Sequence, residues 1–305
     1  IENLADFVRK AQLANYEAFR AMYEGRNALL FHPTTAILTW MSNPAQPSFV
    51  WQLYHYDLEP NSSLFGVMHA SEMVHIQFNQ ADGDLQVINN QPEPLPGLLA
   101  QVSIYNLDGS LAYEHQTRLT AAPEAATNLG PVAFPPSLSA VHFLKLDLRD
   151  AAGKLVSSNF YWRALPDHPD DYTELNLLPK VTLDAQATQT DENGNRTVTV
   201  TLHNPSRSIA LMAHLQLRRK QSGERVLPVY YSDNYISLVP GETRTVTAEA
   251  AVSDFKGEDS LIVFDGWNVS VAPVETGDVS IAPNLEAQPG HWPPTGLPFQ
   301  TTNLR

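Results

Sequence analysis

The 305-residue sequence contains no cysteine, which removes disulfides, thiol nucleophiles and thiolate metal sites together. Basic residues are scarce, with 19 Lys and Arg against 33 Asp and Glu and a formal charge of −14. A surface of that sign repels phosphate backbones, so no nucleic-acid partner is expected. No run approaches the roughly 20 apolar residues that cross a bilayer, and no membrane partner is expected either. Residues 1–10 (IENLADFVRK) carry charges of both signs where a signal peptide would have an apolar stretch. A phosphate-cradling glycine loop and a GxSxG nucleophile elbow are both missing.

What is present suits a globular β-rich protein. The 43% hydrophobic content excludes disorder, and the length fits two or three domains of roughly 100–150 residues. There are 23 prolines in 305 residues, against a usual level near 5%. Proline gathers at strand edges and turns, as in β-sandwiches with many loops.

Residues 3–25 give the strongest helical pattern. Asn3 can cap the helix, Asp6 sits near its positive end and Gly25 can stop it. Leu4, Val8, Ala11, Tyr16, Phe19 and Tyr23 recur at helical spacing, which predicts an outward face of Arg9, Lys10, Glu17 and Arg20. Residues 34–41 (TTAILTWM) read as a strand buried on both faces, as in parallel sheets and barrels. A short helix is expected over 63–72.

From about residue 74 the period becomes two. Strand-like runs alternate with turn signals at 81–84 (ADGD), 107–110 (LDGS), 151–154 (AAGK) and 192–195 (ENGN). Regular short strands without helices between them predict antiparallel sandwiches, with Val102, Ile104, Phe143, Leu146, Val198 and Val200 pointing inward. A loop-like break over 165–180 divides the β region into two units.

Two motifs tempt and fail. His69, Glu72 and His75 place their histidines six apart across a helix–strand junction, whereas a zincin needs them four apart on one helix face. They read as ordinary surface or junction histidines. DENGNR at 191–196 begins like a calcium loop, but the ligand order is wrong, and a hairpin turn explains it better. The aromatic residues Trp40, Phe49, Trp51, Tyr54 and Tyr56 crowd into 40–56, and core packing accounts for most of them. Trp40 and Asn43 differ, because they stand at the C-terminal end of a barrel-like strand, where barrel enzymes place their sites. An indole face complements the C–H face of a pyranose while polar neighbours orient its hydroxyls.

Several strings resemble the C-terminal third of glycoside hydrolase family 2 enzymes, notably exo-β-D-glucosaminidases and mannosylglycoprotein endo-β-mannosidases. FVRKAQLANYEAFRAMYEG is similar to the last long barrel helix, and residues 35–79 (TAILTWMSNPAQPSF onward) to the strand-eight segment and its exit. LRDAAGKLVSSNFYW, SDNYISLVPGETRTVTAE and the GWN at 266–268 are similar to the family's two trailing immunoglobulin-like domains. The expected fold is mixed: residues 1–75 as the C-terminal end of a (β/α)8 TIM barrel, then two immunoglobulin-like antiparallel β-sandwiches at 76–179 and 180–272. Residues 273–305 are expected as an extended Pro/Gly-rich tail.

The resemblance implies a retaining β-glycosidase acting on terminal β-linked sugars, with two glutamates about 5–5.5 Å apart. Both would precede Ile1, and no Glu here matches either motif, so no catalytic residue is assigned. No metal or cofactor is implied. Trp40 and Asn43 match the family's strand-eight Trp and Asn, as substrate contacts. Gln46, where glucosaminidases usually carry an aromatic, is a third candidate contact, and His55 stands where they usually carry Asp. Both differences count against glucosamine as the substrate. The expected partners are a carbohydrate substrate and the N-terminal part of the same gene product, with the remaining barrel and preceding β domains. A secreted or periplasmic location is expected. The alternatives are β-mannosidase or endo-β-mannosidase activity, and a non-catalytic sandwich module that binds carbohydrate or braces an assembly.

Overall fold

The structure, a computed structural model, describes residues 1–30, 33–48 and 52–278. Helix α1 spans Leu4–Ala28. Asn3 caps it as expected, its side chain accepting the Asp6 amide at 3.0 Å. The helix runs on past Gly25. A glycine costs a helix interior only about 1 kcal/mol relative to alanine, too little to end one fixed by tertiary contacts.

The buried face of α1 departs from expectation. Leu13, Tyr16, Phe19, Arg20, Glu24 and Asn27 are buried, whereas Leu4 is 67% exposed and Val8, Met22 and Leu29 also face solvent. Arg20, expected outside, is wholly buried. The physical reason is that the surface receiving α1 is itself polar, so a charged stripe finds partners there and an apolar stripe would not.

Helix α2, Ser62–Ala70, crosses α1 closely. A Cβ on Gly66 would stand 2.7 Å from the Tyr16 carbonyl oxygen. Gln12 on α1 also takes over N-terminal capping of α2, its Oε1 accepting the Ser62 amide at 3.0 Å and its carbonyl accepting the Ser62 hydroxyl at 2.7 Å.

The first sandwich is built from β1 (Val74–Phe78), β2 (Asp84–Asn89), β3 (Leu95–Asn106), β4 (Leu111–Ala121), β5 (Ala125–Pro131), β6 (Val141–Arg149) and β7 (Leu155–Ala164). A three-stranded sheet, β1-β2-β5, faces a four-stranded sheet, β4-β3-β6-β7, and every pairing in both is antiparallel. The free edge of β1 is closed by side chains of β7. Ser157 Oγ accepts the Ile76 amide at 3.2 Å and Tyr161 Oη accepts the Phe78 amide at 3.0 Å. An edge strand otherwise presents unpaired backbone groups.

The second sandwich comprises β8 (Asp184–Glu192), β9 (Asn195–His203), β10 (Ala210–Arg219), β11 (Tyr230–Tyr231), β12 (Ile236–Leu238), β13 (Thr243–Ala251), β14 (Ser260–Asp265) and β15 (Ala272–Asp278). Asn193 and Gly194, both at positive φ, form the two-residue β8–β9 hairpin turn anticipated from DENGNR. The six apolar positions expected inward, from Val102 to Val200, are all buried.

Two expectations fail. The extended tail does not begin at residue 273, because residues 272–278 form β15, which pairs antiparallel with β14 and parallel with β8. The remainder of that expected tail, 279–305, lies outside the described residues. Residues 34–41 form no strand: a single bridge joins Leu30 to Thr34, and Leu38 is 96% exposed. A strand buried on both faces needs partners along both edges, and the described residues supply none.

The sandwiches dock through polar groups. Lys145 on β6 reaches Glu242 at 2.5 Å, and Arg244 on β13 donates to Glu242 at 2.8 Å and to the Ser158 hydroxyl of β7 at 2.7 Å. The turn after β3 also presses on the second sandwich: at Gly109, φ +85°, a Cβ would overlap the Arg207 carbonyl oxygen.

Two glycine substitutions test the helix packing in opposite directions. Gly66→Ala should destabilise the fold by about 1–3 kcal/mol, since the added methyl meets rigid backbone. Gly25→Ala, with nothing within 4 Å of the new Cβ, should stabilise it by about 0.5–1 kcal/mol. Urea denaturation midpoints read both, and equal shifts would contradict this packing.

Candidate functional site

The three expected sugar contacts lie in one irregular segment between the helices. Trp40 is 84% exposed, Gln46 is exposed and Asn43 is half-buried. Met41 takes a positive φ of 65°, which turns the chain between Trp40 and Asn43. Asn43 Oδ1 accepts the Ser42 hydroxyl at 2.9 Å, and its Nδ2 donates to the Pro44 carbonyl at 3.3 Å. Of the other aromatics in this stretch, Tyr54 is half-buried and Tyr56 is 49% exposed, so Tyr56 is not the core residue expected. Phe49 and Trp51 lie outside the described residues.

This segment is steadied from two sides. The Tyr23 hydroxyl on α1 shares a hydrogen bond with Thr39 Oγ1 at 3.1 Å, and Arg26 donates to the Thr35 carbonyl at 3.3 Å. On the other side, the Tyr54 amide donates to the Ser42 carbonyl at 2.9 Å. Tyr54 opens a tight loop in which the His55 amide donates to the Glu59 carbonyl at 2.8 Å and the Asn61 amide to the Leu53 carbonyl at 2.8 Å.

A second constellation, of which the sequence drew attention to His69, Glu72 and His75 but not to their partners, lies where α1, α2 and both sandwiches meet. Arg20 is wholly buried, with its guanidinium 4.0 Å from the Tyr161 ring centre and bonded to Asn159 Oδ1, the Phe160 carbonyl and Glu17. Glu24 accepts from Tyr161 Oη at 2.8 Å and Asn159 Nδ2 at 2.5 Å, and lies 3.3 Å from His75 Nε2. His75 Nδ1 stands 3.1 Å from Glu72, which also accepts the Ser157 hydroxyl at 2.5 Å. His69 then bridges Glu72 at 3.5 Å and Asp233 of the second sandwich at 3.0 Å. The row Glu24, His75, Glu72, His69, Asp233 thus alternates carboxylate and imidazole across four elements of the fold.

The electrostatics follow from that alternation. Burial opposes a charge on His69, yet Asp233, with Glu72 behind it, holds its pKa well above the ordinary value. Burial likewise opposes a charge on His75, and hydrogen bonds to Glu24 and Glu72 outweigh it and raise its pKa. Glu72, desolvated but flanked by both imidazoles, is brought down to about 2. Charged imidazoles between carboxylates bind the junction together. Every ring nitrogen of this pair of histidines faces a carboxylate, so neither is available as a metal ligand.

Cavities decide little here. A cavity of about 40 Å³ beside His69, Asp233, Arg244 and Ser158 has room for water and not for a sugar ring. An open hollow of about 510 Å³ between Asn106, Ser139 and Pro179 is lined by a single carboxylate, Asp108, which is taken up by Ser110.

Comparison with known proteins gives the arrangement its context. Residues 83–166 match the family described as the mannosidase Ig/CBM-like domain, and 159–269 match the exo-beta-D-glucosaminidase Ig-fold domain. The chain is 36% identical over 88% of its length to an exo-beta-D-glucosaminidase of Streptomyces avermitilis, and 33% identical over 89% to one of Amycolatopsis orientalis. The crystal structure of Amycolatopsis orientalis exo-chitosanase CsxA superposes with a TM-score of 0.84, at 33% identity over 90% of this chain and 35% of that one. The chain thus carries immunoglobulin-like domains of the exo-β-D-glucosaminidase and mannosidase types and is similar along most of its length to exo-β-D-glucosaminidases. It spans about a third of the length of the curated relatives it matches.

The strings that carry the family resemblance serve the junction. SSNFYW supplies Ser157, Asn159 and Tyr161 to the buried polar row and Trp162 to the ring contact with Tyr16 at 5.9 Å. SDNY supplies Asp233 to His69, and its Asn234 pairs with both backbone groups of Leu215, at 2.8 and 2.9 Å. In GWN, the Trp267 indole donates to the Leu175 carbonyl at 2.8 Å while its ring receives Arg9 of α1 at 4.3 Å. Asn268 of the same motif donates to the Pro179 and Ile209 carbonyls, both at 2.8 Å. A buried asparagine that answers backbone donors and acceptors in a loop does locally what a strand partner does in a sheet.

The junction should make stability pH-dependent in a defined sense. His69 and His75 have folded-state pKa values above their unfolded value, so their contribution is full below about pH 6.5 and is lost as pH rises through the folded values. Glu72, lowered from 4.5 to about 2, contributes above its unfolded value and loses that as pH falls toward about 2. Melting temperature should therefore be highest between about pH 4.5 and 6.5 and decline above. The variant carrying His69→Gln and His75→Gln should lose the alkaline decline. An alkaline limb of unchanged slope in that variant would refute the assignment.

Proposed function

We propose that this chain is part of a retaining β-glycosidase that removes terminal β-linked sugars, of the exo-β-D-glucosaminidase type, and that residues 1–75 complete a TIM barrel begun by preceding sequence of the same gene product. The observation that carries the reading is the bare apolar surface on one side of the molecule. Leu4, Val8 and Met22 on α1 and Leu29 at its C-cap, with Leu38, Trp40 and Met41 beyond it, all face solvent. Each large apolar side chain left exposed forgoes roughly 1.5–3 kcal/mol of burial, and a stripe of them on a helix calls for a covering surface. The remaining barrel is that surface on this reading. Residues 34–41 then gain strand partners on both edges and become strand eight.

Trp40, at the C-terminal end of that strand, forms a wall of the sugar subsite, while Asn43 and Gln46 reach its hydroxyls. The carboxylates that break the glycosidic bond belong to the preceding strands. The similarity to exo-beta-D-glucosaminidases favours glucosamine as the terminal sugar. β-Mannosidase or endo-β-mannosidase activity is a second reading, favoured by the mannosidase-type domain at 83–166 and by Gln46 and His55. A non-catalytic sandwich module is less well supported, since it gives the bare face of α1 no role.

Kinetics of the full-length protein test this. Trp40→Ala should lower kcat/KM on an aryl β-D-glucosaminide by roughly 30- to 1000-fold, about 2–4 kcal/mol of transition-state binding, with folding largely kept. A folded variant with unchanged kcat/KM would remove Trp40 from the subsite. A wild-type preference for the aryl β-D-mannoside would favour the second reading over the first.

A further inference from the structure

Arg225 belongs to the second sandwich, in the connection between β10 and β11, far in sequence from the sugar-contact segment. Its guanidinium nevertheless reaches the loop after that segment. Nη2 bonds Asp57 at 2.5 Å and Nη1 bonds Glu59 at 2.8 Å. Glu59 is almost fully buried and also accepts Gln216 Nε2 at 3.3 Å, with His214 Nε2 at 4.0 Å. His214 is itself fixed, stacked on Tyr235 with ring centres 4.5 Å apart and bonded to Asp265 at 3.0 Å. Arg225 is backed by its own strand-like pairing, the Arg218–Arg225 bridge and the Val226 amide donating to the Leu217 carbonyl at 3.0 Å.

The two carboxylates held by Arg225 flank Leu58, whose φ of 68° marks the tip of the loop. Glu59 also accepts the His55 amide through its carbonyl, so fixing its side chain fixes the loop's closing bond. One residue earlier the Tyr54 amide donates to Ser42. Among the described residues, that bond is what ties Ser42–Gln46 to another part of the chain; the side-chain bonds of Ser42 and Asn43 stay within the segment. Position therefore passes from a rigid sandwich through Arg225, Asp57 and Glu59 to the Tyr54 amide, and from there to Asn43.

We propose that Arg225 is a positioning residue for the sugar subsite: the second sandwich, through this two-carboxylate grip, sets where Ser42 and Asn43 stand. The inference rests on the reading that residues 40–46 border the sugar. It gives the sandwich a part in catalysis without any contact to substrate. A fork that grips two carboxylates on one loop fixes orientation as well as distance, which a single point charge does not. Misplacement of about 1 Å near a reacting centre can cost on the order of 100-fold in rate.

The test uses the full-length enzyme and an aryl β-glycoside of its preferred sugar. Arg225→Gln should lower kcat/KM by about 10-fold or more, chiefly through kcat, and Asp57→Asn should lower it in the same direction. Arg196→Gln is the control, since it breaks a two-bond pair with Asp191 at a hairpin of the same sandwich, together with a bond to the Glu258 carbonyl, and kcat/KM should stay unchanged. The melting temperature of Arg225→Gln should fall further than that of the control, since the nearly buried Glu59 loses its cation, so kcat/KM is compared at a temperature where both variants are folded. Hydrogen exchange at the Tyr54 and His55 amides should quicken in Arg225→Gln alone. Combined with Asn43→Ala, the loss should match the larger single loss instead of the product of the two, because both act through one segment. Wild-type kcat/KM in Arg225→Gln, or losses that multiply, overturns the proposal and leaves the subsite reading standing. Wild-type kcat/KM in both Trp40→Ala and Asn43→Ala overturns the subsite reading, and this proposal with it.

Discussion

A guanidinium that no water can reach governs the arrangement around it. Arg20 has no exposed surface, and leaving such a charge unpaired would cost several kcal/mol. Its partners must therefore come to it: Asn159 and the Phe160 carbonyl from β7, Glu17 from its own helix, and the faces of Tyr16, Tyr161 and Trp162 around it. Two of those partners have a second duty. Asn159 and Tyr161 also hold Glu24, and the Tyr161 hydroxyl accepts the β1 edge amide at Phe78. Moving α1 by one turn would strand Arg20 and Glu24 together and reopen the edge of β1. The docking of the helix and the closure of the first sandwich are one constraint.

That constraint explains what periodicity could and could not reveal. Alternation along β3 and β9 reported burial correctly because those strands face an apolar core on one side, whereas β6 is buried on both faces over Val141–Leu146. In α1 the same logic was right for Tyr16 and Phe19 and wrong for Leu4, Val8 and Arg20. Leu4 and Val8 lie at helical spacing yet face solvent, and the stripe through Tyr16, Arg20, Glu24 and Asn27 is buried against polar side chains. A hydrophobic pattern marks the face that water disfavours. It cannot mark a face whose burial is driven by ion pairs and hydrogen bonds supplied from 139 residues away, as at Arg20 and Asn159. The run at 34–41 shows the converse: strand composition alone gave no strand where backbone partners were lacking. Residues 272–278 became a strand despite Pro273 and Gly277, because β14 and β8 offered open edges.

The candidate site was legible to a similar degree. Trp40, Asn43 and Gln46 drew attention through strand-end placement and family likeness, both of which are local in sequence. The supports around them are not. Arg225 and Glu59 stand 166 residues apart, His69 and Asp233 164 apart, and no period or motif announces such pairs before the fold brings them together. Yet SSNFYW and SDNY place several polar residues side by side, and these bond both to neighbouring backbone and to partners on other elements.

α1 is therefore a two-sided element with opposite chemistry on its faces. The polar side is specific, since each bond there requires a named partner at a fixed angle, and it sets register and rotation of the helix on the sandwiches. The apolar side is permissive, since dispersion and burial reward any complementary surface. Such a division suits a helix that must hold one position before its second neighbour arrives. The sandwiches fix the helix, and on the proposed reading they also fix, through Arg225, the loop that follows the segment bearing Trp40. On the proposed reading, barrel closure then orders strand eight against a preset edge, and the entropy of placing the subsite loop is borne by the sandwiches' own folding. Immunoglobulin-like domains appended to a glycosidase barrel would in that case act as its template as well as its neighbours.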